Sequence, residues 1–426
     1  MTNVSVDLPT DSSVIVCDNG SYSLKFGFAS EHLPQILIPT IHGKQRKELA
    51  MLGSSQRSIY GGQFCYDNQG ILETSGPIEN CLITDWDAME DIWFHMFYEH
   101  LLIPPENYAI LLTEPVHNPI HSREKLFEIM FEVFNVPKMS LVNKSSLALY
   151  SVGKTTGLVV DSGYHSTQIV PIYEEFPISH AVRSMPIGGW HLTQFLKDMI
   201  NGRGYRLTTV KDWERIKHIK EKFCYSAVDF EKELANFGKD KEQRYTLPDG
   251  MIVNINNEAI RCPEALFDPT LITHMNTDIN DGIHNLVQAS IGDCNVNEWN
   301  DLYDNILLAG GNTLFSGFPE RLKMMIDEVS PGPEARITTP PNQKYTLKDI
   351  PCESTLRNTH LSECYEETID KIRKNVFGNK IWVSINESTE IEDRFIANLD
   401  GIWHDDKLLF KSDAAPYMKK AGTAIR

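Results

Sequence analysis

A chain of 426 residues is too long for one ordinary hydrophobic core, and its length predicts about two to three domains. With 41% hydrophobic and 23% charged residues the composition is that of a globular protein, and no apolar stretch approaches the roughly 20 residues of a membrane helix, which argues against a membrane protein. The formal charge of -18 at pH 7 argues against nonspecific nucleic-acid binding, because phosphate neutralisation requires clustered Lys and Arg.

Strands alternate with amphipathic helices along the chain, which favours an α/β class with mixed sheets. Asp85 and the acidic residues after it predict a helix beginning at Trp86, with apolar positions at helical spacing through Phe97 and Leu101. A further helix is predicted over Arg123 to Phe134.

Two other segments have the composition of surface structure. Residues 45–69 are polar and rich in Gly and Ser, which predicts a small mobile lobe. Residues 230–250 are charged and end in a Leu-Pro-Asp-Gly turn, so we expect an excursion on the surface.

The compartment is predicted from the cysteines and the first residues. No Cys-x-x-Cys pair occurs, so reduced thiols are favoured over disulfides or zinc ligands. The polar start Met1-Thr2-Asn3 lacks a secretory pattern, and we expect a soluble, intracellular protein. The cysteines are Cys17, Cys65, Cys81, Cys224, Cys262, Cys294, Cys352 and Cys364.

The most informative feature is an Asp-x-Gly hairpin that occurs twice. Residues 14–21 read Val-Ile-Val-Cys-Asp-Asn-Gly-Ser, and residues 158–164 read Leu-Val-Val-Asp-Ser-Gly-Tyr. In each, the apolar run predicts a buried strand, the glycine lets the backbone approach a ligand closely, and the aspartate, Asp18 or Asp161, is suited to a water-coordinated cation. Two such hairpins facing one another would grip the phosphates and Mg²⁺ of a nucleotide between two halves of the molecule.

Several stretches, in one order, resemble the actin family. They are residues 16–21, 77–80, 84–87, 112–115, 130–137, 160–163, 219–225, 261–264 and 309–313. The resemblance runs up to Tyr345. The chain is identified as a member of this family and, more specifically, resembles a divergent actin-related protein.

This resemblance implies the actin-like ATPase-domain fold, an α/β architecture of two related halves around a central nucleotide cleft. Hinges are implied near Lys144 and Lys344-Tyr345. Four subdomains follow: subdomain 1 at 1–39, 77–151 and 346–426, subdomain 2 at 40–76, subdomain 3 at 152–187 and 276–345, and subdomain 4 at 188–275.

ATP and Mg²⁺ are the cofactors that the resemblance implies. From one half Asp18, Gly20, Ser21 and Lys25 would face the phosphates, and from the other Asp161 and Gly163, with both aspartates reaching the metal through water. The adenosine would be surrounded by Lys217, Lys220, Glu221, Gly310, Gly311, Asn312, Thr313 and Lys344. Ordinary alternatives stay open: an exposed strand lysine for Lys25, a plain strand-to-helix turn for Gly310-Gly311, and a solvated helix face for Lys220-Glu221.

Two departures from the family pattern fall on the hydrolytic groups. Actins use a glutamine after the first hinge and a histidine on the second hairpin to orient the attacking water, and here these positions are Lys144 and Gln168. An ammonium is only a donor and cannot align water as an amide does. We therefore predict very slow hydrolysis or none, and a chain that is not an efficient enzyme.

Two further departures lie on the hairpin turns. Tyr22 stands where the family has glycine, and Tyr164-His165 replaces Asp-Gly. Bulky residues resist positive φ and obstruct a close backbone approach to phosphates. Two outcomes remain open: a cleft packed shut by tyrosines, or a cleft in which Lys144 pairs with a phosphate as a point charge.

The C-terminal part departs most from the family. An insertion is predicted over about 347–393, after which the family's turn and helix resume near Phe395 to Leu399, with Glu392-Asp393 in place of Gly-Gly. Apolar positions from Leu361 to Ile372 fall on one helical face. This helix would pack on its own domain or dock a partner.

Three functions are compatible with these features. The first is a structural subunit of a multiprotein complex, preferably a chromatin-remodelling assembly in the nucleus, bound to a helical segment of a remodelling subunit and to other actin or actin-related proteins. The alternative is a cytoskeletal actin-related protein, such as a filament, dynactin-like or capping component. An active ATPase is the third, and Lys144 and Gln168 count against it. No sequence-specific nucleic-acid contact and no membrane partner are expected.

Overall fold

The computed structural model describes residues 14–31, 34–45, 59–62, 64–65, 68, 71–238, 242–247, 250–275, 281–329, 333–339, 384–391 and 394–400. The backbone divides into two compact units, Met1–His360 and Leu361–Arg426. Lys344 with its hinge, most of the lobe at 45–69 and the helix predicted at 361–372 lie outside the described residues. Among the described helices, none combines the length and apolar character needed to cross a membrane.

Strands and helices alternate through the larger unit. Its strands are β1 Val14–Asn19, β2 Ser23–Phe28, β3 Ile36–Pro39, β4 His42–Gln45, β5 Ile59–Gly61, β6 Leu72–Ser75, β7 Ile78–Glu79, β8 Leu82–Ile83, β9 Ala109–Glu114, β10 Met139–Asn143, β11 Gly157–Ser162, β12 Thr167–Tyr173, β13 Phe176–Pro177, β14 Arg183–Met185, β15 Gln243–Thr246, β16 Ile252–Ile255, β17 Ile306–Ala309 and β18 Ile337–Thr338. Its helices are α1 Trp86–His95, α2 Ile120–Glu128, α3 Lys144–Tyr150, α4 Gly189–Gly202, α5 Val210–Phe223, α6 Phe230–Ala235, α7 Glu258–Glu264, α8 Ile283–Gly292, α9 Trp299–Tyr303 and α10 Phe318–Val329.

The first mixed sheet has the strand order β10-β9-β1-β2-β3. β1 pairs antiparallel with β2 and parallel with β9, which is itself parallel to β10. In this register Asp18 lies opposite Lys25.

The second mixed sheet repeats this arrangement. Its order is β13-β12-β11-β17-β18, with β14 also paired to β12. β11 is antiparallel to β12 and parallel to β17, which is parallel to β18, and Asp161 lies opposite Gln168. The connectivity of β1, β2, β9 and β10 thus recurs in β11, β12, β17 and β18. The duplication predicted from the two hairpins is present, and the α/β class is confirmed.

The apolar run of β11 is explained by burial on both faces of the sheet. Leu158 and Val160 belong to the core cluster that includes helices α4 and α8. Val159 packs on the opposite face with Leu149 of α3. A strand covered on both sides needs consecutive apolar residues, which is why the sequence does not alternate here.

Helix α1 begins as predicted, because the Asp85 side chain accepts a hydrogen bond from the Ala88 amide at 3.0 Å. A π-helical turn, Met96–His100, continues it and keeps Phe97 in the core. α2 begins at Ile120, earlier than the predicted Arg123, and a π-helical turn over Ile129–Val133 continues it. The side chain of Ile120 is exposed, so this residue does not belong to the apolar face of the helix. The spacing of apolar residues therefore did not predict the first turn.

The segment 230–250 lies on the surface with local structure of its own. α6 has no buried residue, and β15 forms a hairpin with β16. Leu247 is buried at the end of this segment and joins the core cluster of the second sheet. The six cysteines in the described part are free thiols, as predicted.

The smaller unit contains an antiparallel hairpin, β19 Ser384–Ile391 and β20 Arg394–Asp400. The family helix expected to resume near Phe395 to Leu399 was therefore a wrong prediction, because these residues form a strand. In the hairpin Leu399 pairs with Ile385 and Ile396 with Ser388, so the strand conformation of this stretch accompanies its pairing with β19.

Candidate functional site

The first hairpin turn is tight around Gly20. The Thr40 hydroxyl donates a 2.6 Å hydrogen bond to the Gly20 carbonyl. A Cβ on Gly20 would lie 2.6 Å from the Ser23 carbonyl oxygen, which is closer than van der Waals contact allows. Glycine is therefore required here by packing.

Asp18 emerges from the end of β1 with both carboxylate oxygens engaged. Lys25 Nζ lies 3.0 Å from Oδ2, and the Thr113 hydroxyl donates to Oδ1 at 2.9 Å. Burial by itself would raise the pKa of Asp18, but Lys25, Lys144 and the hydrogen bonds hold it below its ordinary value. Asp18 is thus an anion paired with an ammonium from the neighbouring strand.

The second hairpin turn is braced through the carbonyl of Gly163. That oxygen accepts hydrogen bonds from the Gly189 amide at 2.9 Å and from Asn312 Nδ2 at 2.7 Å. Asn312 also donates to the Ser162 hydroxyl at 3.1 Å. These bonds tie the turn to the start of α4 and to the loop after β17.

Asp161, which follows the apolar run of β11, forms an ion pair with Lys144. The Nζ–Oδ2 distance is 2.6 Å, and the side chains are 29% exposed for Lys144 and 11% for Asp161. Lys144 is the first residue of α3, whose capping residue Asn143 accepts hydrogen bonds from two α3 amides. Burial opposes the ammonium, but the nearby carboxylates, Asp161 above all, raise the pKa of Lys144 over its ordinary value. Lys144 is therefore an ammonium held directly against the Asp161 carboxylate.

Gln168 lies on the same face of the second sheet as Asp161, because the two residues are directly opposed in the ladder. Its Oε1 is buried without a partner in the protein. An amide is almost non-basic near pH 7 and an ammonium has no lone pair, so neither Gln168 nor Lys144 can act as a general base.

The two hairpin turns touch through aromatic rings. The ring centroids of Tyr22 and Tyr164 are 5.0 Å apart, and Lys217 Nζ lies 3.9 Å from the Tyr22 centroid and donates to its hydroxyl. Neither tyrosine has a positive φ, so the expected backbone strain is absent at these positions. The tyrosines fill part of the space between the turns.

Another contact across the halves was not found by sequence reasoning. Cys81 Sγ lies 3.0 Å from Ser166 Oγ. Asn80 and Cys81, between β7 and β8, have positive φ values of 47° and 67°. The stretch 77–80 matched the family, whereas Cys81 carried no sequence signal.

The residues expected around the adenosine fall into different environments. Lys220 is 5% exposed and donates to the Gly189 carbonyl at 2.7 Å, so a solvated helix face was the wrong alternative for it. The Glu221 side chain is 58% exposed, as that alternative predicted. Gly310 has φ +85° and accepts a bond from Thr313 Oγ1 at 2.8 Å, so it is more than a plain turn glycine.

Gln168 Oε1 is one of several buried polar atoms that have no partner in the protein, and Asn19 Nδ2 and Ser145 Oγ are others. Gln168 lies opposite Asp161 in the ladder, whereas the Asn19 side chain accepts hydrogen bonds from Cys17 and Trp93 in the core. Such atoms in native proteins are ordinarily satisfied by water or ligand.

The charges of the cleft fit a polyphosphate better than a hydrated Mg²⁺. Lys25 and Lys144 bring one ammonium to each hairpin, and phosphate oxygens accept hydrogen bonds from such groups. Both aspartates, however, already contact these ammonium groups. In the described part of the chain, no group of three or more His, Cys, Asp or Glu residues is arranged to hold a metal ion.

A model of the protein family described as Actin matches residues 10–347. This range contains both Asp-x-Gly hairpins, both mixed sheets and the helices of the larger unit, and it ends before β19. It agrees with the extent of the resemblance seen in the sequence motifs. The match covers well over half of the chain, and the protein belongs to the actin family.

Proposed function

We propose that this chain is a non-catalytic or weakly catalytic actin-related protein that acts as a structural subunit of a multiprotein complex. The observation that carries the proposal is the 2.6 Å ion pair of Lys144 and Asp161. The pair holds Lys144, which stands at the water-orienting position, against the carboxylate of Asp161 inside the cleft.

The loss of hydrolysis follows from donor and acceptor chemistry. Alignment of an attacking water requires a group that can accept one of its protons, and an ammonium has only donors. Lys144 is moreover held by Asp161. Gln168 Oε1 can accept a hydrogen bond from water, but unlike the histidine of the family pattern Gln168 cannot take up a proton near neutral pH. Phosphoryl transfer depends mainly on positioning and charge stabilisation, so the loss of both orienting groups removes much of the rate enhancement.

ATP in the cleft would serve stability rather than turnover. Lys25 and Lys144 supply positive charge to the two turns, and the unpartnered Oε1 of Gln168 belongs to a residue directly opposite Asp161 in the sheet. A ligand that binds only the native state stabilises it by mass action. Without turnover, such a nucleotide would remain bound for as long as its dissociation rate allows.

Exposed aromatic side chains support association with other proteins, as is general in the actin family. Phe94 of α1 and Tyr98 of its π-helical extension have ring centroids 4.7 Å apart and are both exposed, and Leu102, which follows, is 76% exposed. Adjoining apolar groups on a surface are typical of protein contact sites. We propose a chromatin-remodelling assembly in the nucleus as the complex, with a cytoskeletal filament, dynactin-like or capping component as the alternative.

The test is purification of the native protein, followed by mass spectrometry of the small molecules released on denaturation and of the proteins that copurify. Intact ATP together with stoichiometric partners is the expected result, and the partners then separate a remodelling ATPase complex from cytoskeletal components. ADP with rapid phosphate release from added ATP would overturn the non-catalytic role. A monomer without stable partners would overturn the structural role.

A further inference from the structure

We propose that the cleft binds a nucleoside triphosphate without a divalent cation, with the Lys144 ammonium standing in the place of the metal. This inference rests on the proposed function, since it requires that the cleft accept a nucleotide. It changes what the family resemblance implies, which is a metal held through water by Asp18 and Asp161.

Asp161 has no oxygen free for the water shell of a cation. A carboxylate that holds a hydrated cation must accept hydrogen bonds from the water ligands of that cation. Oδ2 of Asp161 is 2.6 Å from Lys144 Nζ. Oδ1 is packed beside Gly310, where an added Cβ would lie 2.7 Å from it. With a side chain only 11% exposed, Asp161 has little carboxylate surface left for a metal-bound water.

The carboxylate oxygens of Asp18 are also engaged by groups of the chain. Lys25 and Thr113 contact its two oxygens at 3.0 and 2.9 Å. Displacing Lys25 by a hydrated cation would exchange one counter-charge for another at the cost of an existing ion pair. The carboxylates on both hairpins are therefore already neutralised by groups of the chain.

A triphosphate in the cleft would meet the charged groups of both hairpins. Two carboxylates without counter-charges would repel it, which is one reason why a cation usually accompanies the nucleotide. Here each carboxylate is matched by one ammonium. An ammonium has three donors, so Lys144 can bond to Asp161 and to phosphate oxygens at once. The side chains of Lys144 and Lys25 are 29% and 30% exposed, so neither is sealed from a ligand.

The experiment is titration calorimetry of the full-length protein with ATP, once with EDTA and once with Mg²⁺. The wild type is expected to bind with affinities that agree within about threefold in the two buffers. Lys144→Gln leaves Asp161 without its ammonium. The affinity of this variant for ATP should therefore fall by about tenfold or more in EDTA and should be recovered with Mg²⁺. Lys125→Gln is the matched control, because Lys125 pairs with Glu128 on α2 at the surface, and it should behave as the wild type.

A wild type that loses more than about tenfold in affinity in EDTA overturns the inference and leaves the proposed structural subunit intact. Absence of ATP binding in both buffers overturns the inference together with the nucleotide part of the proposed function. If Lys144→Gln does not fold, the affinities of the wild type for ATP with EDTA and with Mg²⁺ still show whether the divalent cation is needed.

Discussion

Lys144 and Asp161 are joined by a direct ion pair between the first residue of α3 and the Asp-x-Gly hairpin of the second sheet, with Nζ 2.6 Å from Oδ2. One substitution in the chain therefore has two effects on the cleft. It removes the amide that would orient a water, and it places a fixed positive charge against the carboxylate that the family pattern assigns to the cation.

The stability contributed by this pair is testable with a charge-removal series. Lys144→Met leaves the mostly buried Asp161 carboxylate without its counter-charge, and we expect a loss of about 2 kcal/mol in the free energy of unfolding, less than for a fully buried pair. Adding Asp161→Asn removes the stranded charge and should recover at least half of that loss. Urea denaturation of the three proteins measures both effects. A double variant no more stable than Lys144→Met would show that the two charges are not coupled.

Hydrolysis should return when the family's orienting groups are restored. Lys144→Gln with Gln168→His supplies an amide and an imidazole at the two positions, and phosphate release from ATP should rise by about 10²-fold over the wild type. Gln168→His alone keeps Lys144 in place and should remain inactive. A double variant that binds ATP and stays inert would assign the defect to Tyr22 and Tyr164 between the turns.

Two adjacent glycines should respond differently to the same substitution. Gly310 has φ +85°, and a Cβ there would lie 2.2 Å from the Ser162 carbonyl oxygen, so Gly310→Ala should cost about 3 kcal/mol or more through strain and displacement. At Gly311 a Cβ meets nothing within 4 Å, and Gly311→Ala should change stability by about 0.5 kcal/mol or less. Thermal or chemical unfolding compares them. Equal losses for the two variants would contradict the geometry of this loop.

The buried pair of Glu264 and Arg321 predicts a pH effect on stability. Burial raises the pKa of Glu264 to about 7, against the opposing influence of Arg321, whose Nη2 lies 2.5 Å from Oε1. Because the folded-state pKa lies above the unfolded one, this group's stabilising contribution is complete below about pH 4 and is lost as the pH rises through about 7. The side chain in Glu264→Gln is neutral at every pH. The free energy of unfolding of this variant, relative to that of the wild type, should therefore rise by about 2 kcal/mol from pH 5 to pH 8.

Urea denaturation at the two pH values measures this difference, and Glu128→Gln, at an exposed ion pair, should show no such trend. If Glu264→Gln is instead less stable relative to the wild type at pH 8 than at pH 5, the ion pair with Arg321 keeps the carboxylate charged and the predicted direction is wrong.

Local patterns in the sequence were sufficient for the elements nearest the cleft. The apolar run before each Asp-x-Gly predicted buried strands, and β1 and β11 are such strands. Asp85 predicted the start of α1 because a capping carboxylate acts on amides only a few residues away. The turn and helix expected near Phe395 failed, because these residues pair with β19 and a short motif compared with a family pattern does not report such pairing.

The sequence by itself determined the α/β class, the duplicated hairpins, the family and the substitution of Lys144 and Gln168, because each is legible within a short stretch of residues or in the order of such stretches. Only the tertiary structure decided that Lys144 contacts Asp161, that Tyr22 meets Tyr164, and that Lys220 points to a backbone carbonyl. These contacts join residues from different strands, helices and halves. Ion pairs and ring contacts act over a few ångströms, and that separation is set by the packing of the sheets and helices that carry the residues rather than by the residues' own neighbours in the chain.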